Sequence, residues 1–164
     1  MGVEIERKFL VAGDAWRSAV ARSQRLVQGY LMPSGTGACS VRVRIGGDLA
    51  WLNIKSAIAG VERAEYEYPI PRADAEQMLQ RFCTGAIEKI RHHVPHAGRT
   101  FEVDEFGGEN AGLIVAELEL ETADEQFERP EWLGREVSHL RRYYNLHLVD
   151  HPYARWSAAE RNGE

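Results

Sequence analysis

The sequence has few of the residues that mark disulfide-rich, zinc-binding or membrane-spanning proteins. Its 164 residues include only two cysteines, Cys39 and Cys83, which lie outside any CxxC or Cys/His spacing typical of a zinc site. No apolar run is long enough to span a bilayer, and no signal-peptide core opens the chain. These absences predict a protein with reduced thiols that acts in the cytoplasm and has no membrane partner.

An excess of basic residues is also missing. The 25 acidic residues outnumber the 20 lysines and arginines, which gives a net charge of -5. Proteins that bind nucleic acid polymers carry a basic surface, so we expect no such partner here. No low-complexity tract, fixed-period repeat or shift in composition divides the chain, which predicts one domain over residues 1–164. Both a monomer and a homodimer remain open.

Charge at every second position is what the sequence has in abundance. The opening MGVEIERKFL places Glu4, Glu6 and Lys8 at alternate positions, with Val3 and Ile5 beside them. Successive side chains of a strand point to opposite faces, so one face is ionic and the other apolar. The alternation recurs in six further segments, SVRVRI, LNIKS, ERAEYEYPI, EKIRHHV, FEVDEF and VAELELE. Glycine and proline turns separate many of them, which indicates a meandering antiparallel sheet.

The apolar faces of these strands need a cover. Few helices are predicted, at about Asp14–Arg22, at Ala73–Phe82, in a stretch after Gly134 that includes Val137, and at Tyr153–Arg161. So few helices can cover the sheet only from outside. If the sheet closes into a barrel, its charged faces line the interior. The expected fold is therefore α+β but mainly β, a barrel with a few flanking helices.

An ionic interior is unfavourable unless its charges pair or bind a ligand. The acids at these positions are Glu4, Glu6, Glu65, Glu67, Glu102, Asp104, Glu117, Glu119 and Glu121, and the bases are Lys8, Arg42, Arg44, Lys55, Arg63, Lys89 and Arg91. Internal pairing alone leaves a surplus of carboxylate. Carboxylate clusters suit Mg²⁺ or Mn²⁺, and convergent arginines and lysines suit phosphate oxygens. A polyphosphate bound with a divalent metal would satisfy both sets.

The order of these charged residues resembles that of the CYTH superfamily, also called triphosphate tunnel metalloenzymes. The resemblance extends from Val3 to about Asn145. It implies an eight-stranded antiparallel barrel that forms a tunnel, with QRLVQGYLM as the eighth strand and Gln28 and Tyr30 pointing inward. The matching elements are, in order, Glu4-x-Glu6-x-Lys8, Arg42-x-Arg44, Lys55, Arg63-x-Glu65-x-Glu67, Lys89-x-Arg91, Asp104 and Glu117-x-Glu119.

The resemblance also implies a role for each charged side chain. The triphosphate contacts would be Lys8, Arg42, Arg44, Lys55, Arg63, Lys89 and Arg91. The ligands of Mg²⁺ or Mn²⁺ would be Glu4, Glu6, Asp104, Glu117 and Glu119. Lys55 and Lys89 are the candidate catalytic residues that position the attacking water. Glu121 extends the acidic pair, so the two ligands among Glu117, Glu119 and Glu121 stay open.

Hydrolysis of a small-molecule triphosphate is the activity that this resemblance implies, with inorganic tripolyphosphate as the substrate. Related members include thiamine triphosphatases, RNA-capping triphosphatases and class IV adenylate cyclases. A class IV-type cyclase and a thiamine or nucleoside triphosphatase are therefore alternatives, although no distinct base-binding motif is present. A module that binds polyphosphate or nucleotide as a sensor, without catalysis, is the alternative from another class.

Overall fold

The computed structural model describes residues 2–32, 37–57 and 61–164. Nine strands within these ranges form a single antiparallel sheet. The strands are β1 (Gly2–Val11), β2 (Arg22–Tyr30), β3 (Cys39–Gly46), β4 (Leu49–Ser56), β5 (Glu62–Pro69), β6 (Ala86–His96), β7 (Arg99–Phe106), β8 (Ile114–Glu119) and β9 (Leu133–Glu136).

Pairing of β1 with β5 closes the sheet into a barrel. Around the barrel the strands run β1, β5, β4, β3, β2, β6, β7, β8 and back to β1. The ninth strand, β9, pairs with the last residues of β1, where Glu136 lies opposite Phe9 and Leu133 opposite Val11. The predicted fold, mainly β with an eight-stranded antiparallel barrel and a few flanking helices, is confirmed.

The register of the strands brings the alternating charges onto one face. Residues directly opposite each other on neighbouring strands point to the same side of the sheet. Glu4 on β1 lies opposite Arg63 on β5, and Lys8 lies opposite Glu117 on β8. Because the barrel is closed, every strand repeats this arrangement and the shared face becomes the interior.

Two clusters of the hydrophobic core lie outside the barrel wall, and a third includes Phe106 and Val115 on the inner face beside Lys89 and Asp104. Phe101 and Leu118 are buried on the outer face together with Trp132, and burial of each such side chain contributes about 1.5–3 kcal/mol. Elsewhere on the wall a helix, α1 (Arg72–Phe82), covers Val43. Part of the outer face stays uncovered, since Tyr68 on β5 is 52% exposed.

Two of the four predicted helices lie in the first half of the chain. The helix predicted at Ala73–Phe82 is confirmed as α1, whose 11 residues are about half of what a bilayer-spanning helix needs. The one predicted at Asp14–Arg22 is only a 3₁₀ turn at Ala15–Ala19 that buries Trp16. No helix in the described ranges is long and apolar enough to cross a membrane.

The other two predicted helices lie in the second half of the chain. The prediction of a helix that follows Gly134 is wrong, because the main chain at residues 133–136 pairs with β1 as strand β9. A 3₁₀ turn at Arg141–Tyr143 and a short helix, α2 (Asn145–Asp150), follow further on. The predicted terminal helix divides into a 3₁₀ turn at Tyr153–Arg155 and α3 (Ala158–Arg161).

Candidate active site

A cavity of about 610 Å³ runs inside the barrel, and all eight barrel strands contribute side chains to its wall. This volume is within the range of small-molecule sites in proteins. Of the site residues predicted from the sequence, those that line the cavity are Glu4, Glu6, Lys8, Arg42, Arg44, Lys55, Arg63, Arg91, Glu117 and Glu119. Lys89 and Asp104, also predicted, are buried and do not belong to this lining.

A group of carboxylates gathers where β1, β5 and β8 meet. Burial and repulsion from Glu4 and Glu6, with a further contribution from Glu65, raise the pKa of Glu119. Among the residues that the structure describes, the Glu119 carboxylate has no hydrogen-bond or ion-pair partner, although its main chain pairs with β1. A divalent cation would relieve this repulsion, because carboxylate oxygens are the ligands that Mg²⁺ and Mn²⁺ prefer.

The carboxylates are turned towards neighbouring ammonium groups rather than around a common centre. Lys55 Nζ donates to Glu4 Oε2 at 2.6 Å and lies 3.4 Å from Glu65 Oε2. No three acidic, histidine or cysteine side chains in the described part of the chain enclose a metal position as they stand. The donor types fit a hard divalent cation, and its binding requires these side chains to exchange an ammonium partner for the metal.

Three arginines on β3 and β5 keep unused hydrogen-bond donors. The Nε–H groups of Arg42, Arg44 and Arg63 are buried and have no acceptor. Arg42 comes no closer than 3.9 Å to Glu65, whereas Arg44 Nη2 donates to Glu67 at 2.7 Å. Because planar guanidinium groups match the geometry of phosphate oxygens, these arginines can hold a polyanion in the cavity.

Lys8 on β1 and Glu117 on β8 form a buried ion pair. Burial opposes the charged form of Lys8, but attraction to Glu117 and then to Glu6 outweighs it and raises the pKa of Lys8. Burial likewise acts against the charged form of Glu117, yet the positive charges of Lys8 and Arg91 hold its pKa well below the usual range. Both groups are therefore charged at neutral pH.

A second ion-pair network fills the space behind Arg91. Asp104, whose side chain is fully buried, accepts from Arg91 Nε and Nη2, both at 2.7 Å, and from Lys89 Nζ. Burial lowers the pKa of Lys89 to about 8, against the attraction of Asp104. Lys89 and Asp104 thus hold the guanidinium of Arg91, which itself lines the cavity.

Sequence reasoning missed Asn53 and Tyr144, which contact the charged residues of the lining. Asn53 on β4 is buried, and its Nδ2 donates to Glu65 at 3.1 Å and also to Glu67. Tyr144 lines the cavity with its ring 5.1 Å from the Arg63 guanidinium. Asn53 could have been found from its spacing, since it is two residues before Lys55; Tyr144 lies outside every barrel strand. Glu121 is exposed beyond the end of β8, so Glu117 and Glu119 are the acids of this set in the cavity.

The closed barrel thus surrounds a tunnel that is lined by charged side chains. Residues 2–147 match the CYTH domain, and the chain belongs to this family of metal-dependent enzymes. Both the fold and the family agree with the resemblance that the charged motifs carry.

Known relatives share most of the chain. An inorganic triphosphatase of Acetivibrio thermocellus is 45% identical over 93% of this chain and 97% of that protein. An inorganic triphosphatase of Nitrosomonas europaea is 35% identical over 89% of this chain and 96% of that protein. The crystal structure of the inorganic triphosphatase NE1496 superposes with a TM-score of 0.67 at 32% identity, covering 91% of this chain and 95% of the other.

Proposed function

We propose that this protein hydrolyses inorganic tripolyphosphate inside the barrel, with Mg²⁺ or Mn²⁺ as cofactor. The observation that carries the proposal is the lining of one cavity inside the closed barrel by cationic groups with spare donors and by carboxylates, among which Glu119 is repelled by Glu4 and Glu6. Two curated relatives that are inorganic triphosphatases support the same substrate. We expect the enzyme to act in the cytoplasm as one catalytic domain, as a monomer or a homodimer.

The basic side chains bind and neutralise the phosphate chain. Arg42, Arg44 and Arg63 offer unused donors on β3 and β5, while Lys8 on β1 and Arg91 on β6 line the same cavity. An arginine or lysine that gives up a carboxylate for a phosphate oxygen keeps a charge-assisted hydrogen bond. The same groups stabilise the negative charge that develops on the leaving phosphate, which is the main requirement of phosphoryl transfer.

The carboxylates provide the metal ligands. Glu4 and Glu6 stand close enough to Glu119 to repel its negative charge, and Glu117 completes the predicted set from the same strand as Glu119. A bound divalent cation supplies charge neutralisation of the phosphate oxygens and a lower pKa for coordinated water. Asp104, predicted as a further ligand, is enclosed by Lys89 and Arg91, so we assign it the task of orienting Arg91.

The two candidate catalytic lysines differ in their access to a substrate. Lys55 lines the cavity beside Glu4 and can orient an attacking water towards the terminal phosphorus. Lys89 is behind the wall, so it acts on the reaction through Asp104 and Arg91. Cleavage of the terminal P–O bond releases one phosphate and leaves pyrophosphate.

A phosphate-release assay tests this proposal directly. The purified protein is incubated with tripolyphosphate, pyrophosphate or ATP in the presence of Mg²⁺, Mn²⁺ or EDTA. We expect metal-dependent release from tripolyphosphate that collapses in Glu6→Gln, which keeps the shape of the side chain and removes its charge. Glu105→Gln, a change on the exposed side of β7, is the matched control and retains activity.

Each competing function predicts a different outcome of this assay. Formation of a cyclic nucleotide from ATP identifies a cyclase, and preferential release from ATP or thiamine triphosphate identifies a triphosphatase of organic substrates. Binding of tripolyphosphate without release of phosphate under any metal condition identifies a sensor. Any of these three results would overturn the proposed hydrolysis of inorganic tripolyphosphate.

A further inference from the structure

The side chains of Gln28, Arg44 and Trp51 form a row across three neighbouring strands of the barrel. Arg44 on β3 lies directly opposite Gln28 on β2 and directly opposite Trp51 on β4. Residues directly opposite each other point to the same side of a sheet, so all three belong to the inner face. Arg44 lines the cavity, whereas Gln28 and Trp51 do not. Two uncharged side chains therefore flank an arginine that a ligand in the cavity would meet.

The N–H groups of Arg44 are held by one carboxylate. Among the residues that the structure describes, Glu67 is the ion-pair partner of Arg44, and its Oε2 accepts from Nη2 at 2.7 Å. The Nε–H group is buried and has no acceptor. Burial, and then repulsion from Arg42, lower the pKa of Arg44, against the attraction of Glu67. A phosphate oxygen that replaced Glu67 would therefore displace the carboxylate that orients this guanidinium.

Trp51 makes a different kind of contact with the same guanidinium. The central carbon of the Arg44 guanidinium lies over the Trp51 ring, 5.2 Å from the ring centre. At this distance the π electrons of the ring attract the cation as a whole, without a hydrogen bond. The contact uses none of the N–H groups of Arg44. It can therefore persist while these groups exchange a carboxylate for a phosphate oxygen.

Trp51 is also the more rigid of the two supports. It lies opposite Pro69 on β5, on the side away from Arg44, and it is partly buried in the barrel wall. A tryptophan side chain turns about only two bonds, so it loses little conformational entropy when it holds a partner. The side chain of Glu67, in contrast, is 38% exposed.

Arg42 provides a comparison on the same strand. It lies two residues before Arg44, lines the same cavity, and likewise has a buried Nε–H group without an acceptor. Its opposite residue on β4 is Asn53 rather than a tryptophan, and no aromatic ring in the described ranges makes a cation–π contact with it. A function of Trp51 in orienting an arginine should therefore depend on Arg44 and not on Arg42.

We propose that Trp51 is a positioning residue that holds the guanidinium of Arg44 in place when a phosphate oxygen replaces Glu67. The proposal rests on the proposed function and adds to it an uncharged residue that acts through Arg44. Without the ring, Arg44 keeps its charge, but its guanidinium must be ordered by the phosphate itself. The loss should therefore appear in substrate binding rather than in the chemical step.

A double-mutant cycle between Trp51 and Arg44 tests the proposal. The kcat and KM for tripolyphosphate are measured under one metal condition with wild type, Trp51→Leu, Arg44→Ala and the double variant, and single-turnover rates extend the series to slow variants. Trp51→Phe keeps an aromatic ring and is the conservative variant. Tyr68→Leu is the matched control, because it removes an aromatic side chain that is 52% exposed on the neighbouring strand β5. Urea unfolding shows whether each variant is folded.

We expect Trp51→Leu to lower kcat/KM for tripolyphosphate about fivefold, mainly through a higher KM. Trp51→Phe should recover most of this loss, and Tyr68→Leu should change kcat/KM by less than about twofold. In the Arg44→Ala background, Trp51→Leu should have an effect of less than about twofold. In the Arg42→Ala background, it should keep its full effect.

Three results would overturn the assignment of Trp51. These are an unchanged kcat/KM in Trp51→Leu, an equal loss with and without Arg44, and a loss in Trp51→Phe as large as that in Trp51→Leu. An equal loss with and without Arg44 would show that Trp51 supports the barrel in general rather than this arginine. A wild-type protein that releases no phosphate from tripolyphosphate would instead overturn the proposed function itself.

Discussion

The buried contact of Asp104 with Lys89 and Arg91 predicts a large loss of stability when the carboxylate charge is removed. Asp104→Asn keeps the shape of the side chain but leaves two cations in the barrel wall without their counter-ion. Removal of one partner from a buried ion pair costs about 3–5 kcal/mol. The amide oxygen of the variant can still accept one hydrogen bond, so we expect the lower figure, about 3 kcal/mol.

Urea unfolding at neutral pH, followed by circular dichroism, measures this loss. For a domain of this size, 3 kcal/mol corresponds to a fall in Tm of roughly 6–12 °C. The neighbouring Glu105 offers a matched control, since it faces outward and pairs with Arg17 at 2.9 Å on the surface. Exposed pairs contribute about 0–1 kcal/mol, so Glu105→Gln should change stability by less than 1 kcal/mol.

The pH dependence gives a second check on the same residue. Burial alone would raise the pKa of Asp104, but attraction to Arg91 and Lys89 lowers it below the ordinary value. A carboxylate with a lowered folded-state pKa stabilises the fold above its unfolded pKa and loses this effect as the pH falls through the folded value. The difference between wild type and Asp104→Asn should therefore shrink in acid.

The role of Asp104 is decided by measuring stability with and without metal. If Asp104 orients Arg91, the loss of about 3 kcal/mol appears in EDTA. If Asp104 is instead a metal ligand, the variant resembles wild type in EDTA and differs only when Mg²⁺ or Mn²⁺ is present. A loss below 1 kcal/mol under both conditions would refute the reasoning from the buried ion pair.

Three further predictions concern the metal, the phosphate chain and the core. Glu119→Gln should raise the Mn²⁺ concentration for half-maximal activity by about tenfold in a metal titration, whereas the exposed Glu121→Gln should not. Arg44→Lys should lower kcat/KM for tripolyphosphate at least tenfold and for pyrophosphate less, since lysine lacks bidentate geometry; equal losses would contradict this. Phe101→Ala should lower the free energy of unfolding by about 3–5 kcal/mol, against almost no change for Phe82→Ala at the 63% exposed end of α1.

The barrel interior was predictable because a strand alternates its side chains with a period of two. Glu4, Glu6 and Lys8 share one face of β1. The antiparallel register places charged residues of the neighbouring strands opposite them on the same face. The alternation in FEVDEF and VAELELE likewise identifies the outer, apolar face that buries Phe101 and Leu118. Local spacing was sufficient here because the position of a residue in its own strand decides to which face of the sheet its side chain points.

The spacing of the charged residues did not predict which inward-facing side chains reach the cavity and which are buried away from it. Lys89 has the same alternation as Arg91, yet it lies opposite Phe106 and Leu26, whose side chains fill the barrel beside it. Asp104 similarly lies opposite Val115 on β8. These apolar neighbours lie on three different strands. Whether Lys89 and Asp104 line the cavity therefore depends on how the strands assemble into the barrel.

The sequence by itself determined the chemistry of this protein, since alternating acids and bases in strands specify an ionic interior suited to a metal and a polyphosphate. Only the tertiary structure decided which of these charges reach the cavity and which side chains from outside the barrel strands join them. The pairing of β9 with β1 sets residues 133–136 in a strand, and Tyr144 meets Arg63 from a distant part of the chain. Such contacts leave no periodic signal because they arise only when separate segments pack together.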